Sequence, residues 1–556
     1  MNWNPQPALS MSFRMAAVFQ AAWPKILPLA YCFFIRAALL IVLLIVLLFS
    51  LCPGLRAESI LTRYKLPPMD RIEGEARNLW FNSMQYKRLG QLPISFSQIE
   101  DTEVPDILRT RLQNNSWPST GTADLVFQGK TLSELAAFIA KLSSYSTVDI
   151  AASRLVADVT LRIPSGIRLR AWNTALEASN LRGKPVFLLE NVRDAAISGF
   201  IFSRVPLGIV VRNSHRIHLS RLTFNEGRTA IACVESGSMV TIEETRLYSL
   251  EGPGILIQGN LRGVWLRGVD IQDTKRADNG GAGLVVTDSS LDTHAAVTAE
   301  TIHRLTIEGL DQPVFPYTSG PHGILIEEGI FTRNRAQGIY CEGCVGVVIR
   351  RNLILENDKE GICLDWGSSR NLVLENVVDG NGFRRRQTDQ DLQRDLVLRF
   401  GRQADGSAVA KLPGISMDNA CENIIVRNVV RENAGDGIKL VRSSFRNLIL
   451  FNVLLHNARG NNHRFVYSGI LIGSAGPEPE ILELIKTGRF KAPLDYLPSM
   501  GNVIAANVID GEHYWGIHLG RDVAYNDIYD NTVHHQLKEP LVSATRAFNS
   551  ILGNSW

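Results

Sequence analysis

Residues 347–366 read VVIRRNLILENDKEGICLDW. Inside this stretch the order apolar, x, x, Asn, apolar, apolar, x, x, Asn leads into a Gly-Ile strand at 361. The same order recurs. Its first asparagines are Asn352, Asn376, Asn428, Asn452, Asn507 and Asn531, and the second ones, five later, are Asn357, Asn381, Asn433 and Asn457. The Gly-Ile strands are GIYCEG at 338, GICLDW at 361, GISMDN at 414, GIKLVR at 437, GILIGS at 469 and GIHLGR at 516. Two of the spacings are 23, and the others, 53, 32 and 47, equal one 23-residue unit plus 30, 9 and 24. An Asn fixed at a turn can bond the amide of its copy one coil up, together with the turn backbone. Three short period-2 strands per unit, separated by such turns, describe one rung of a parallel β-helix.

Fainter units precede these, at 167, 186, 208, 254 and 283, and HGILIEEGIFTRNRAQ at 322 matches the second half of a unit. The helix of coils therefore runs from about residue 148 to 556. Thr131 to Tyr145 has a different period. Leu132, Leu135, Ala136, Ile139 and Leu142 share one helical face, and Thr131 with Glu134 makes a capping-box pattern. This segment is read as an amphipathic helix that covers the open end of the solenoid, where bare strand edges would otherwise face water. Residues 58–147 form the N-terminal segment that carries it.

Residues 1–57 read as a signal peptide or N-terminal membrane anchor. Ala37 to Leu51, AALLIVLLIVLLFSL, is an apolar run of 15 preceded by Arg14, Lys25 and Arg36. Counted from residue 31, a tilted span fits the same stretch, so the bulk of the chain is expected outside the cytoplasm, periplasmic or extracellular. Lys plus Arg is 58 and Asp plus Glu 55, a net charge of +3. That balance excludes a strongly basic nucleic-acid binder, and no nucleic acid is expected as a partner. The seven cysteines are too sparse for a disulfide scaffold.

The Gly-Ile strands with their Asn ladder resemble the right-handed parallel β-helix of the pectate-lyase-like superfamily. The resemblance covers residues from about 150 to 556. It implies an all-β solenoid with an N-terminal capping α-helix, a fold shared by pectate lyases, polygalacturonases, alginate lyases and epimerases, and non-catalytic members. Asn433-Ala434-Gly435-Asp436-Gly437-Ile438 is similar to the Asn-Thr-Asp-Gly-Ile of polygalacturonases. The paired aspartates expected one coil on are replaced by Tyr467-Ser468-Gly469, so Asp436 is read as a structural corner.

Alternation in the Gly-Ile strand turns its third and fifth residues outward. The third positions read Tyr340, Cys363, Ser416, Lys439, Leu471, His518, and the fifth positions begin Glu342, Asp365, Asp418. Coils stack about 4.8 Å apart, so three carboxylates should form a column with Lys439 diagonal to Asp418. Carboxylates at that spacing raise one pKa or recruit a cation, and oxygen donors suit Ca²⁺. Asp365, Asp418 and Lys439 are the candidate catalytic residues, with Asp365 and Asp418 as the candidate metal ligands. Candidate substrate contacts are Tyr340, Glu342, Trp366, Arg384, Arg442, His463, Arg464, Tyr467 and His518. Arginines suit sugar carboxylates and aromatic rings suit sugar faces. A solvated face of mixed charge is the plain alternative for the column. The functional expectation is an exported protein acting on an acidic polysaccharide, as a lyase, an epimerase or a glycoside hydrolase. The alternative is a non-catalytic polysaccharide-binding or scaffold protein of the cell envelope.

Overall fold

The computed structural model describes residues 125–178, 181–277, 279–288, 320–365, 367–385, 411–442, 444–460, 466–473, 499–520, 523–543 and 549–556. Thirty-four strands in these residues belong to one parallel network. It winds through about 14 turns as a right-handed solenoid. Each full coil contributes three strands. Ile362–Asp365 lies on the Gly-Ile sheet, Leu372–Leu374 on a second sheet and Val377–Asp379 on a third. Each pairs only with the equivalent strand of the coil before and after, as in Ile362↔Ile415, Leu372↔Ile424 and Val377↔Val429.

Period-2 alternation fills the interior. Ile339, Ile362, Ile415, Ile438, Ile470 and Ile517 stack in register on the Gly-Ile sheet, and all are buried. Ile349, Val373, Ile425, Ile449, Ile504 and Ile528 do the same on the second sheet. β-branched side chains suit this stacking because their single preferred rotamer repeats from coil to coil.

The corners explain the rest of the repeat. Each Asn amide of one coil donates to the Asn Oδ1 above it, as Asn352 does to Asn376 (3.0 Å) and Asn452 to Asn507 (3.0 Å). The same amide also donates to a strand carbonyl below, Ile326 O in one case and Ile425 O in the other. Three such columns exist. The sequence reading found two, and the third runs Asn371, Asn423, Asn447, Asn502, Asn526 and Asn549 at the corner after the Gly-Ile strand. Gly338, Gly361, Gly414 and Gly437 of the Gly-Ile strands each share a corner with an Asn. A Cβ on Gly437 would lie 2.7 Å from Gly469 O and 3.0 Å from Asn457 Nδ2, so no larger residue fits.

Among the described residues the one before a corner Asn takes a left-handed conformation, including Arg351, Glu375 and Arg427 near φ +50°. Such non-Gly residues cost roughly 1 kcal/mol each. Their charges alternate up the corner and pair: Arg351 with Glu375 at 3.0 Å, and Arg427 with Glu375 at 3.1 Å. A second corner repeats this with Arg370 on Glu422 (3.0 Å) and Arg446 on Glu422.

The helix α1 spans Leu132–Ile139, and Thr131 caps it by accepting from the Glu134 amide. Leu132, Leu135 and Ile139 are buried in the core of the first coils. The helix stops six residues short of the Tyr145 boundary read from the periodicity. Ser143 and Ser144 are weak helix formers, and Tyr145 sits at φ 67°. Leu125–Phe127 precedes the helix and pairs with Thr147–Ile150 as the first rung.

Candidate functional site

The outward columns of the Gly-Ile sheet fall in the register that alternation requires. Glu342 pairs with Asp365, Asp365 with Asp418, and Asp418 with Val441. Tyr340, Cys363, Ser416, Lys439, Leu471 and His518 form the parallel column beside them. Part of this face is not solvated. Tyr340 and Cys363 pack with Ala282, Val285 and Ala336, and Asp365 is only 7% exposed. Glu342, Asp418 and Lys439 are half-buried and reach the surface.

The carboxylates are engaged. The Tyr340 hydroxyl donates to Asp365 Oδ2 at 3.2 Å. Arg442 Nη1 lies 3.3 Å from Asp418 Oδ2. Burial pushes the Glu342 carboxyl up, against hydrogen bonds from Thr287 and Tyr340 that pull it down. Among the described residues no group of three or more His, Cys, Asp or Glu is arranged to hold a metal ion. Asp365 and Asp418 supply two carboxylates, and the Arg442 guanidinium competes with any cation for one of them. Two carboxylates, one of them paired with a guanidinium, are fewer oxygen donors than a Ca²⁺ ion takes.

A second group gathers at the corner that enters the Ile438–Val441 strand. Asp436 is buried there and accepts from the Ser468 amide at 2.6 Å. Burial pushes its carboxyl up to about 6, against the opposing charge of Lys439. Tyr467 stands nearby. Its hydroxyl accepts from the Lys411 amide at 2.7 Å, and burial raises its phenol, with Asp436 adding to the effect. Arg384 completes the group. It depresses Lys411, whose ammonium is already disfavoured by burial. Its own backbone is anchored by a 2.8 Å bond to Asp358 O and sits at φ 54°.

The structure thus brings together Tyr340 with Asp365, Asp418 with Arg442, Asp436 with Lys439 and Tyr467, and Tyr467 with Arg384. His518 lies two rungs from Lys439 with Leu471 between them. It packs on Trp515 at 4.4 Å, and burial lowers its imidazole. Trp366, His463 and Arg464 lie outside the described residues, as do residues 386–410 and 474–498. From its sequence context alone Asp436 reads as a structural corner. Its Asp-Gly-Ile context was visible, but its burial and its bond to a residue 32 positions on depend on the coil stacking.

A family model described as "Right handed beta helix region" matches residues 207–383 and 298–482. No curated protein sequence matches the chain. Among solved structures the chain is similar to a polysaccharide lyase from Pseudopedobacter saltans, at 14% identity and TM-score 0.49, over 78% of this chain and 92% of that one. It is similar to the A-module of a mannuronan C-5 epimerase from Azotobacter vinelandii, at 13% identity and TM-score 0.43, over 78% and 98%. It is also similar to the catalytic domain of an α-1,3-glucanase in complex with nigerose, at 10% identity and TM-score 0.43, over 79% and 70%. The matched model, the three parallel sheets and the Asn columns make this chain a right-handed parallel β-helix repeat protein.

Proposed function

We propose that the chain is an exported carbohydrate-active protein whose Gly-Ile face acts on an acidic polysaccharide. One observation carries this reading. Glu342, Asp365 and Asp418 occupy successive rungs of one sheet, and Lys439 lies on the next rung with the buried Asp436 at the corner that enters it. Rungs about 4.8 Å apart present a repeating row of polar groups to a repeating polymer.

Lyase or epimerase chemistry needs a group that takes the proton beside a uronate carboxyl and cations that hold that carboxyl. Lys439, Arg442 and Arg384 are the cations of the face. Asp436, its carboxyl raised to about 6 by burial, can take up or give a proton near neutral pH, and the Tyr467 phenol, raised by burial, stays protonated and can return one. A glycoside hydrolase would instead use Asp365 and Asp418 as the acid and nucleophile pair, since adjacent rungs bring carboxyls near the retaining distance of about 5 Å. A non-catalytic binder is the second reading, favoured by the Asp418–Arg442 and Tyr340–Asp365 contacts, which leave both carboxylates satisfied.

Export belongs to the same proposal and rests on the apolar run at 37–51, which lies outside the described residues. The membrane, if contacted, would be reached only through that segment. Among the described residues no helix is long and apolar enough to cross one.

The test is incubation of the purified chain with acidic and neutral polysaccharides, with and without Ca²⁺. New unsaturated uronate ends and new reducing ends are followed separately. Both rising means a lyase, and reducing ends alone mean a hydrolase. Exchange of solvent deuterium into an uncut polymer means an epimerase. Asp418→Ala and Lys439→Ala should each cut turnover at least about a hundredfold. Turnover that persists in both removes this face from the chemistry. Binding without turnover by any assay selects the binder.

A further inference from the structure

The outer side of the third sheet changes character along the solenoid. In the later coils its first outward column is Leu353, Val377, Val429 and Val453, all buried. In the earlier coils the same column reads Thr223, Arg246, Asp270 and Ile330. With the corner residues Arg221, Glu244 and Glu328 these line a groove of about 540 Å³ that ends at Asn173. That volume suits a small ligand or one to three sugar rings. Next to Asn173 stands Trp172, 71% exposed, with the Arg221 guanidinium 5.7 Å over its ring. An indole left this open contributes little burial to the fold. It is a flat apolar platform at the mouth of a polar trough.

The trough is built rather than incidental. Asp270 is oriented by Gln272 Nε2 at 2.8 Å and by the Tyr248 hydroxyl at 3.4 Å. Glu328 is held by Arg267 at 2.9 Å. Three carboxylates and two guanidiniums line the space, so a polyanion would gain little from entering it. Vicinal hydroxyls fit it well, because carboxylates accept from them and guanidiniums donate to them. The apolar face of a pyranose ring matches the indole.

We propose that this groove is a second glycan site, on a different sheet from the Gly-Ile face, that holds a neutral, hydroxyl-rich sugar segment with one ring stacked on Trp172. The proposal rests on the polysaccharide reading above for its choice of a sugar as ligand.

The experiment is titration calorimetry of the full chain with neutral hexasaccharides of glucose, mannose, galactose and xylose, and with hexagalacturonate. Wild type is compared with Trp172→Ala, Arg246→Gln and the double variant Asp418→Ala/Lys439→Ala. Trp172 is a surface ring, so an unchanged melting temperature confirms that its variant folds. At least one neutral hexasaccharide should bind wild type, weaken about tenfold or more in Trp172→Ala and in Arg246→Gln, and bind the double variant unchanged. The proposal falls if no neutral hexasaccharide binds wild type, or if binding survives intact in Trp172→Ala. Hexagalacturonate binding lost only in the double variant would then leave the Gly-Ile face standing alone. A neutral sugar lost only in the groove variants, with no acidic polymer bound or turned over, would keep the groove and remove the Gly-Ile reading.

Discussion

His513 ends one Asn column. The Asn457 amide N–H donates to its Nε2 at 3.2 Å, where the coils below use Asn Oδ1. The ring is fully buried, and burial lowers its pKa from 6.5 to about 4. A depressed histidine adds stability above its unfolded pKa, and that stability is lost as pH falls from 6.5 toward about 4. The full shift corresponds to roughly 3 kcal/mol at most. His513→Asn restores the residue of the lower coils and removes this titration. Thermal unfolding at pH 8 and pH 4.5 should show a smaller acid loss in the variant than in wild type. Equal losses would mean that His513 keeps its proton balance on folding. The sequence could not supply this. Asn507 and Asn531 were legible as ladder members, but the place of His513 depends on how its coil stacks on that of Asn457. At the site likewise, the Glu342, Asp365, Asp418 column was readable from a two-residue alternation. The burial of Asp365 and the pairing of Asp418 with Arg442 were not, because both depend on which side chains neighbouring coils bring alongside.

At the scale of the element, the unit is one Asn corner. Asn452 accepts from the Asn428 amide N–H and side chain and donates to Ile425 O and Asn507 Oδ1, all within 3.0 Å. Asn452→Ala would strand these groups in a buried corner, where each unsatisfied one costs about 1–3 kcal/mol. We expect a loss of about 3 kcal/mol or more in urea unfolding. Asn549→Ala, at the half-exposed last copy, should lose about 1 kcal/mol because water can replace the amide. Similar losses at both positions would show that stacking of the strands, not the amides, holds the corners. The third Asn column follows the same five-residue step as the two that were read, since Asn371 precedes Asn376 and Asn423 precedes Asn428. It escaped reading because the turn after the Gly-Ile strand varies in length and hides the repeat. The capping helix was legible from Thr131, Glu134 and its apolar face, though its end was not.

Across the whole molecule each coil touches only its neighbours, so stability is a sum of coil and interface terms. The ends should open first. Ile339 through Ile528 stack with coils on both sides, whereas Leu541–Ser543 and Ser550–Leu552 pair on one side only among the described residues. Hydrogen exchange should give the strongest amide protection between 339 and 528 and fall toward 541–552. Uniform protection along the chain would instead show all-or-none unfolding.

The charged corners carry one more consequence for a chain this repetitive. Asparagines are identical from coil to coil, so they cannot tell a correct stack from one in which a coil has been skipped. Arginine and glutamate can. Looping out the coil of Glu375 would set Arg351 against Arg427, and looping out the coil of Glu422 would set Arg370 against Arg446. Each error replaces an attraction with a repulsion. Over these coils the alternating corners therefore set an electrostatic penalty on a skipped turn.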